Sequence, residues 1–252
     1  MTSFYGSSWD RYVTQTFPHS RTEQSVHPGD EWGNPGLWNI CYDRLLDRAG
    51  ATEWARAVEI GPGSGKYTTL LLQRTRCNVL ALDVSREFLR VLEERAGAYV
   101  AEGRLQAALL TGARPDEVLS LVEERGWRGS VDAIFSIDSM VHVDLQYLVA
   151  YFMTAALVLR PGGRLILTLA DPTSARGRQK LFEDVKVYYR LQGSPSLKFE
   201  WLCEDLVRSV LTSLGFVVDV VEHDTTNGGE RDLFVIAHKG DVDEVTVEGY
   251  LR

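Results

Sequence analysis

Along this chain, short apolar runs alternate with stretches whose apolar residues recur every three to four positions. Ala57-Val58-Glu59-Ile60, Asn78-Val79-Leu80-Ala81-Leu82-Asp83-Val84, residues 105–110, Ser130-Val131-Asp132-Ala133-Ile134-Phe135 and Leu165-Ile166-Leu167-Thr168-Leu169 are brief and rich in aliphatic side chains. Such runs read as strands buried on both faces of a parallel sheet. Between them the period lengthens. Phe88, Leu92, Ala96 and Tyr99 share one helical face behind Ser85, an N-cap candidate. Leu145, Leu148, Phe152, Ala155, Ala156 and Leu159 share another behind Asp144. Residues 116–125 and 204–214 read as further helices, the second stopped by Gly215. The last two strands, Phe216-Val217-Val218-Asp219-Val220-Val221 and Asp232-Leu233-Phe234-Val235-Ile236-Ala237, stand too close for a crossover helix, and Asn227-Gly228-Gly229 suits a turn. The pattern therefore predicts an α/β fold: a doubly wound, seven-stranded sheet, mostly parallel, with its last strand antiparallel.

Outside this core the pattern changes. Residues 1–50 are broken by Pro18, Pro28-Gly29-Asp30 and Asn34-Pro35-Gly36, yet they carry Phe4, Tyr5, Trp9, Tyr12, Phe17, Trp32, Trp38 and Tyr42. Disordered tails are poor in aromatics, so a helical and looped arm packed on the body is expected, with one amphipathic helix from Leu37 to Leu46. Residues 51–240 form the body. Near 171–201 an inserted helix and loop are expected on its rim, with Tyr188, Tyr189, Phe199 and Trp201 as candidate pocket aromatics; residues 241–252 read as a loosely held tail.

Composition narrows the partners. A 252-residue chain with 44% apolar and 25% charged residues suits one large globular domain. Its net charge of −8, with no basic run, argues against binding nucleic acid, and a small-molecule partner is favoured. No apolar stretch is long enough to span a bilayer, and the first ten residues lack a signal-peptide pattern. Cys41, Cys77 and Cys203 show neither metal-ligand spacing nor a disulfide framework, so no metal site and a reduced, cytoplasmic setting are expected. The sequence leaves the oligomeric state open.

The candidate chemistry begins at Glu59-Ile60-Gly61-Pro62-Gly63-Ser64-Gly65, where a strand gives way to a helix. Glycines there let a ligand approach the backbone beside the free N–H groups of a helix start. A P-loop does not fit: Ile60 stands where its first glycine belongs, and Tyr67 where its hydroxyl belongs. The spacing also departs from the dinucleotide fingerprint, and Glu59 would repel a pyrophosphate while suiting a ligand with an ammonium group or a sulfonium. Asp83 lies 22 residues beyond Gly61, about where a strand-end carboxylate grips ribose hydroxyls. His142, in the loop after the fourth strand, has an unperturbed pKa suited to proton removal near neutrality.

The stretch from Glu59 to Gly65 resembles motif I of the class I S-adenosylmethionine-dependent methyltransferases, whose pattern is Glu/Asp-x-Gly-x-Gly-x-Gly. Residues 130–142, ending in Val141-His142, resemble that family's motif IV region in small-molecule methyltransferases, and Leu159-Arg160-Pro161-Gly162-Gly163 resembles its turn before the fifth strand. The resemblance covers roughly residues 50–240 and implies a Rossmann-like fold with S-adenosyl-L-methionine as cofactor. It implies cofactor contacts from Glu59, Gly61, Pro62, Gly63, Gly65, Asp83, Val84, Gly112 and Asp138, with the arm as a lid. Family members carry an acid soon after the third strand, toward the adenine; here the run is Thr111-Gly112-Ala113-Arg114, and Asp116 arrives late. The implied reaction is methyl transfer to an oxygen or nitrogen of a small molecule, with His142 as candidate base and Asp138 or an arm tyrosine in reserve. A peptide or protein amine as acceptor, and a non-catalytic cofactor-binding scaffold, are the alternatives.

Overall fold

The computed structural model describes residues 2–23, 25–111, 114–190, 199–224 and 231–251. Gly112 and the side chains of Tyr188 and Tyr189 lie outside the described part. The arm holds helices α1 (Thr2–Arg11), α2 (Phe17–Ser20) and α3 (Pro35–Tyr42). The body follows as β1 (Arg56–Ile60), α4 (Lys66–Arg74), β2 (Asn78–Asp83), α5 (Arg86–Arg95), α6 (Gly97–Ala101), β3 (Leu105–Leu109), α7 (Pro115–Glu123) and β4 (Val131–Ser136). It continues through α8 (Leu145–Val158), β5 (Leu159–Ala170), α9 (Ala175–Arg190), α10 (Glu204–Ser213), β6 (Phe216–His223), β7 (Asp232–Lys239) and α11 (Glu244–Leu251).

The strands form one seven-stranded sheet in the order β3-β2-β1-β4-β5-β7-β6. Strands β1 to β5 run parallel, and β7 is antiparallel to both β5 and β6. The last strand thus slots between its two predecessors and pairs antiparallel with β6, the orientation that the short 221–232 connection requires. The order reverses between β1 and β4, and in doubly wound sheets the ligand crevice opens at that point, beyond the carboxyl ends of the strands.

Period-two alternation divides the core into two faces. Val58, Leu80, Leu82, Ile134 and Leu165 face α7, α8 and α10, where Val118, Phe152 and Leu211 cover them. Ala57, Val79, Ala81, Phe135 and Ile166 face the other way, onto Tyr42, Leu45, Leu46, Leu71 and Leu92. Ser85 caps α5 as expected, its Oγ accepting from the Phe88 N–H at 3.1 Å.

Three local expectations change. The helix foreseen from Leu37 to Leu46 is α3 followed by a π-helical turn, Asp43–Asp47, because Asn34 and Pro35 start it early: the Asn34 side chain accepts from the Leu37 N–H. Strand β5 begins at Leu159 rather than Leu165, since its glycine turn stays in the sheet with a register shift against β4. A Cβ on Gly163 would lie 3.0 Å from the Val131 carbonyl, so the strand can pass only without one. The tail is docked rather than loose. Helix α11 packs on α8 with Val247 buried, and the buried Lys239 ammonium donates to the Leu159 carbonyl and to Glu244.

Candidate functional site

The glycine loop joins β1 to α4 at the reversal of strand order. Gly61, Gly63 and Gly65 all have positive φ, at 70°, 55° and 84°. Gly61 is held by its N–H on the Leu82 carbonyl, and Gly65 closes a turn onto the buried Pro62. A Cβ on Gly61 would collide with the side chain of Ser139, which sits in the loop leaving β4. One glycine therefore lets two ligand-facing loops meet.

Around this loop, buried carboxyls are arranged in sequence. Glu59 is buried in β1 and accepts a hydrogen bond from Thr68 on α4, tying strand to helix beneath the loop. Burial pushes its carboxyl up to about 8, against the pull of Thr68 and with a further push from Asp83. Asp83 ends β2. Its Oδ2 accepts from the Gly63 N–H at 3.1 Å and its Oδ1 from the Ser85 N–H at 2.8 Å. Burial raises it to about 6, opposed by those backbone donors. Val84 follows directly, and Gly6 of α1 lies so close that a Cβ there would reach the Val84 carbonyl.

Asp138 lies across the crevice, just beyond β4. It is the one non-glycine residue with positive φ among the described residues, at 59°, with its N–H on Thr168 Oγ1 at 2.7 Å. Backbone strain of this kind gathers at ligand sites. Arg231 bridges Asp138 and Asp232; burial opposes its charge, but the two carboxylates outweigh it and raise its pKa. Asp232 is itself raised to about 6 by burial.

Next to Asp138 opens a cavity of about 990 Å³. His142, in a short 3₁₀ turn (Met140–His142), lines it, edge-on to Trp9 at 5.3 Å and to Phe199 at 5.0 Å. Trp9 also meets Trp32, Tyr12 and Phe88, so the arm supplies one aromatic wall. The floor comes from Tyr67, Ile137, Thr168 and Phe234.

The arm is fastened to the crevice at three points. Asp10 Oδ1 accepts from Ser85 Oγ at 2.6 Å and from the Glu87 N–H at 3.0 Å. Arg95 donates to Asp30 at 3.0 Å and to Ser64 of the glycine loop at 3.3 Å. Lys66 Nζ donates to the Gly29 carbonyl at 3.1 Å.

Of the residues singled out from sequence, Glu59, Gly61, Pro62, Gly63, Gly65, Asp83 and Val84 gather on the β1–β2 side of the crevice, with Asp138 and His142 facing them from β4. Gly112 lies outside the described residues. Sequence reasoning passed over Ser139, Asp10, Arg95 and Arg231. Their partners are distant in sequence, and only the N-cap pattern at Ser85 offered a local clue. Among the described residues, no cluster of three metal-ligating side chains forms and no helix is long and apolar enough to cross a membrane.

The donor set fits S-adenosylmethionine on structural grounds. A Cβ-free cradle lies beside the carboxylate ending β2, and a buried acid sits under the loop, as a sulfonium-bearing amino acid joined to a ribose requires. Comparison with known proteins agrees. A family model described as a methyltransferase domain matches residues 58–165. Methyltransferase GfsG of Streptomyces halstedii is 30% identical over 125 residues, which are 50% of this chain and 41% of that protein. Ribosomal RNA small subunit methyltransferase A of Bacillus licheniformis is 39% identical over 57 residues, 23% of this chain and 19% of that protein. The alignments thus span less than half of either relative. The fold also matches the crystal structure of magnesium protoporphyrin IX methyltransferase (ChlM) from Synechocystis PCC 6803 with bound SAH, at a TM-score of 0.65 and 16% identity, covering 93% of this chain and 99% of that one. Residues 58–165 match a methyltransferase-domain model, and with the glycine-loop motif and the sheet order this chain resembles the class I S-adenosylmethionine-dependent methyltransferases over that stretch.

Proposed function

We propose that the protein transfers a methyl group from S-adenosylmethionine to an oxygen or nitrogen of a small molecule held in the 990 Å³ cavity. The observation that carries this reading is the position of His142, on the cavity wall beside Asp138 and in the same loop as Ser139, whose side chain meets Gly61 of the glycine cradle. The cavity falls in the upper part of the range of about 300–1,000 Å³ common for small-molecule sites. The ChlM neighbour is a magnesium protoporphyrin IX methyltransferase, and that small-molecule acceptor supports the same class.

In this reading the glycines admit the methionyl part, Glu59 orders the loop, Asp83 holds the ribose hydroxyls and Asp138 faces the ammonium group. When bound, the cofactor supplies an electrophilic methyl on a good leaving group. The protein's own work is alignment and removal of one proton. His142 takes the proton from the acceptor's hydroxyl or ammonium, and the aromatic walls around it exclude water. The arm closes the site as a lid, through Asp10, Asp30 and Trp9.

Calorimetric titration with S-adenosylhomocysteine tests the cofactor half. Asp83→Ala should weaken binding at least tenfold, because hydrogen bonds to a charged acceptor contribute about 1.5–3 kcal/mol each; equal affinity refutes the ribose role. Labelled methyl transfer to a panel of phenols and amines tests the rest. His142→Ala should lower turnover about 10²-fold with the cofactor affinity retained, the low end for proton-transfer catalysis. Unchanged turnover removes His142 from the mechanism.

A further inference from the structure

The charges around the cavity do not balance evenly. Asp138 and Asp232 are both held by Arg231, Asp224 is held by Arg44, and Lys180 is held by Asp184. Lys66 stands apart. It lines the cavity and is only partly exposed, yet it forms no ion pair among the described residues: its hydrogen bond goes to a neutral acceptor, the Gly29 carbonyl. Its ammonium also lies 5.7 Å from the Trp32 ring centre and 5.6 Å from that of Trp38. Burial lowers its pKa, partly offset by Asp138 and Asp30. A half-buried cation that forms no ion pair with its nearby carboxylates, Asp138, Asp30 and Glu31, is costly to hold, and an anion delivered by a ligand removes that cost.

The aromatic surfaces decide against the opposite ligand. Trp32 and Trp38 already face Lys66, and Phe199 faces both Lys180 and Arg231. A cationic acceptor would find those ring faces taken by the protein's own cations and would be repelled by them. A flat ring remains welcome, because Trp9, His142 and Phe199 present a continuous wall of edges and faces.

Resting on the methyl-transfer reading above, we propose that Lys66 anchors a carboxylate on the acceptor, and that the acceptor is an aromatic acid lying against the Trp9–His142–Phe199 wall. This assigns Lys66 a specificity role rather than a catalytic one. The carboxylate locks the ring at the arm side of the cavity, leaving the hydroxyl or amine that is methylated free to reach the His142 side.

The test uses the full chain saturated with S-adenosylhomocysteine, titrated calorimetrically with 2-naphthoate and with its uncharged isostere 2-naphthamide. Wild type should bind the naphthoate at least tenfold more tightly. Lys66→Met should abolish the difference while leaving naphthamide affinity unchanged, and Lys66→Arg should restore most of it. Equal binding of the two probes by wild type, or binding of neither, overturns the proposal without any variant. One alternative source of the carboxylate is the cofactor's own methionyl end. Should Lys66→Met weaken S-adenosylhomocysteine but not 5′-methylthioadenosine, which lacks the amino acid, the lysine serves the cofactor and the proposal fails. Failure of wild type to bind S-adenosylhomocysteine at all would instead overturn the methyltransferase reading on which the proposal stands.

Discussion

Replacing Glu59 by glutamine should flatten the pH dependence of stability, and the size of the effect follows from its surroundings. In the unfolded chain this carboxyl titrates near 4.5; in the folded protein burial holds it near 8. Between those values the folded state binds more protons than the unfolded one, so raising the pH draws the equilibrium toward unfolding. Stability from the protonated group is complete below the unfolded value and is lost progressively up to the folded one. From pH 5 to pH 7 the difference amounts to about 2–3 kcal/mol. For a chain of this size that is a fall in Tm of about 5–10 °C. Asp83 and Asp232, both raised to about 6, act in the same direction but are present in wild type and variant alike. Thermal melts of both proteins without cofactor, at pH 5, 6, 7 and 8, isolate the contribution of Glu59. The comparison uses slopes rather than absolute Tm, because glutamine can still accept from Thr68 but adds an amide N–H₂ that lacks a partner. Parallel Tm–pH curves for the two proteins would refute the argument, since they would mean that Glu59 ionises at no cost inside the fold.

Two further substitutions probe how the crevice is assembled. Gly61→Ala puts a methyl group into the Ser139 side chain at a φ of 70°, and should destabilise by about 1–3 kcal/mol, read as a drop in the midpoint of urea unfolding; an unchanged midpoint would show that the two loops do not touch. Asp10→Ala removes the carboxylate that accepts from Ser85 Oγ and the Glu87 N–H, so the arm should detach more often and trypsin should cut at Arg11 and Arg21 several-fold faster, with a stability loss of about 1 kcal/mol typical of a lost cap. Equal cleavage rates would place the hold on the arm elsewhere.

The division between what the sequence revealed and what it hid follows the range of the interactions. The strands, the helix stripes, the Ser85 cap and the glycine loop each depend on neighbours within a few positions, so their patterns are written locally. The antiparallel end of the sheet was also legible, because chain length alone forbids a crossover between residues 221 and 232. The docking of α11 was not: it depends on Val247 meeting α8 and on the Lys239 ammonium, contacts that no local period encodes.

The acceptor wall is the extreme case. Trp9, Trp32, His142 and Phe199 come from four separate parts of the chain, and each alone is as well explained by ordinary packing. Lys66 follows directly on the glycine loop, yet nothing in the local pattern gives it a role. Its meaning depends on the carboxylates nearby being claimed by Arg231, Arg44 and Arg95, which is a property of the folded charge arrangement alone. The cofactor side is built on a loop that any sequence of this type must spell out, because backbone close to a ligand demands glycine. The acceptor side demands only a shape and a charge, which many residues can supply from many places. Cofactor class was therefore suggested by the motif, whereas the proposed acceptor class rests on a charge arrangement that only the folded chain displays.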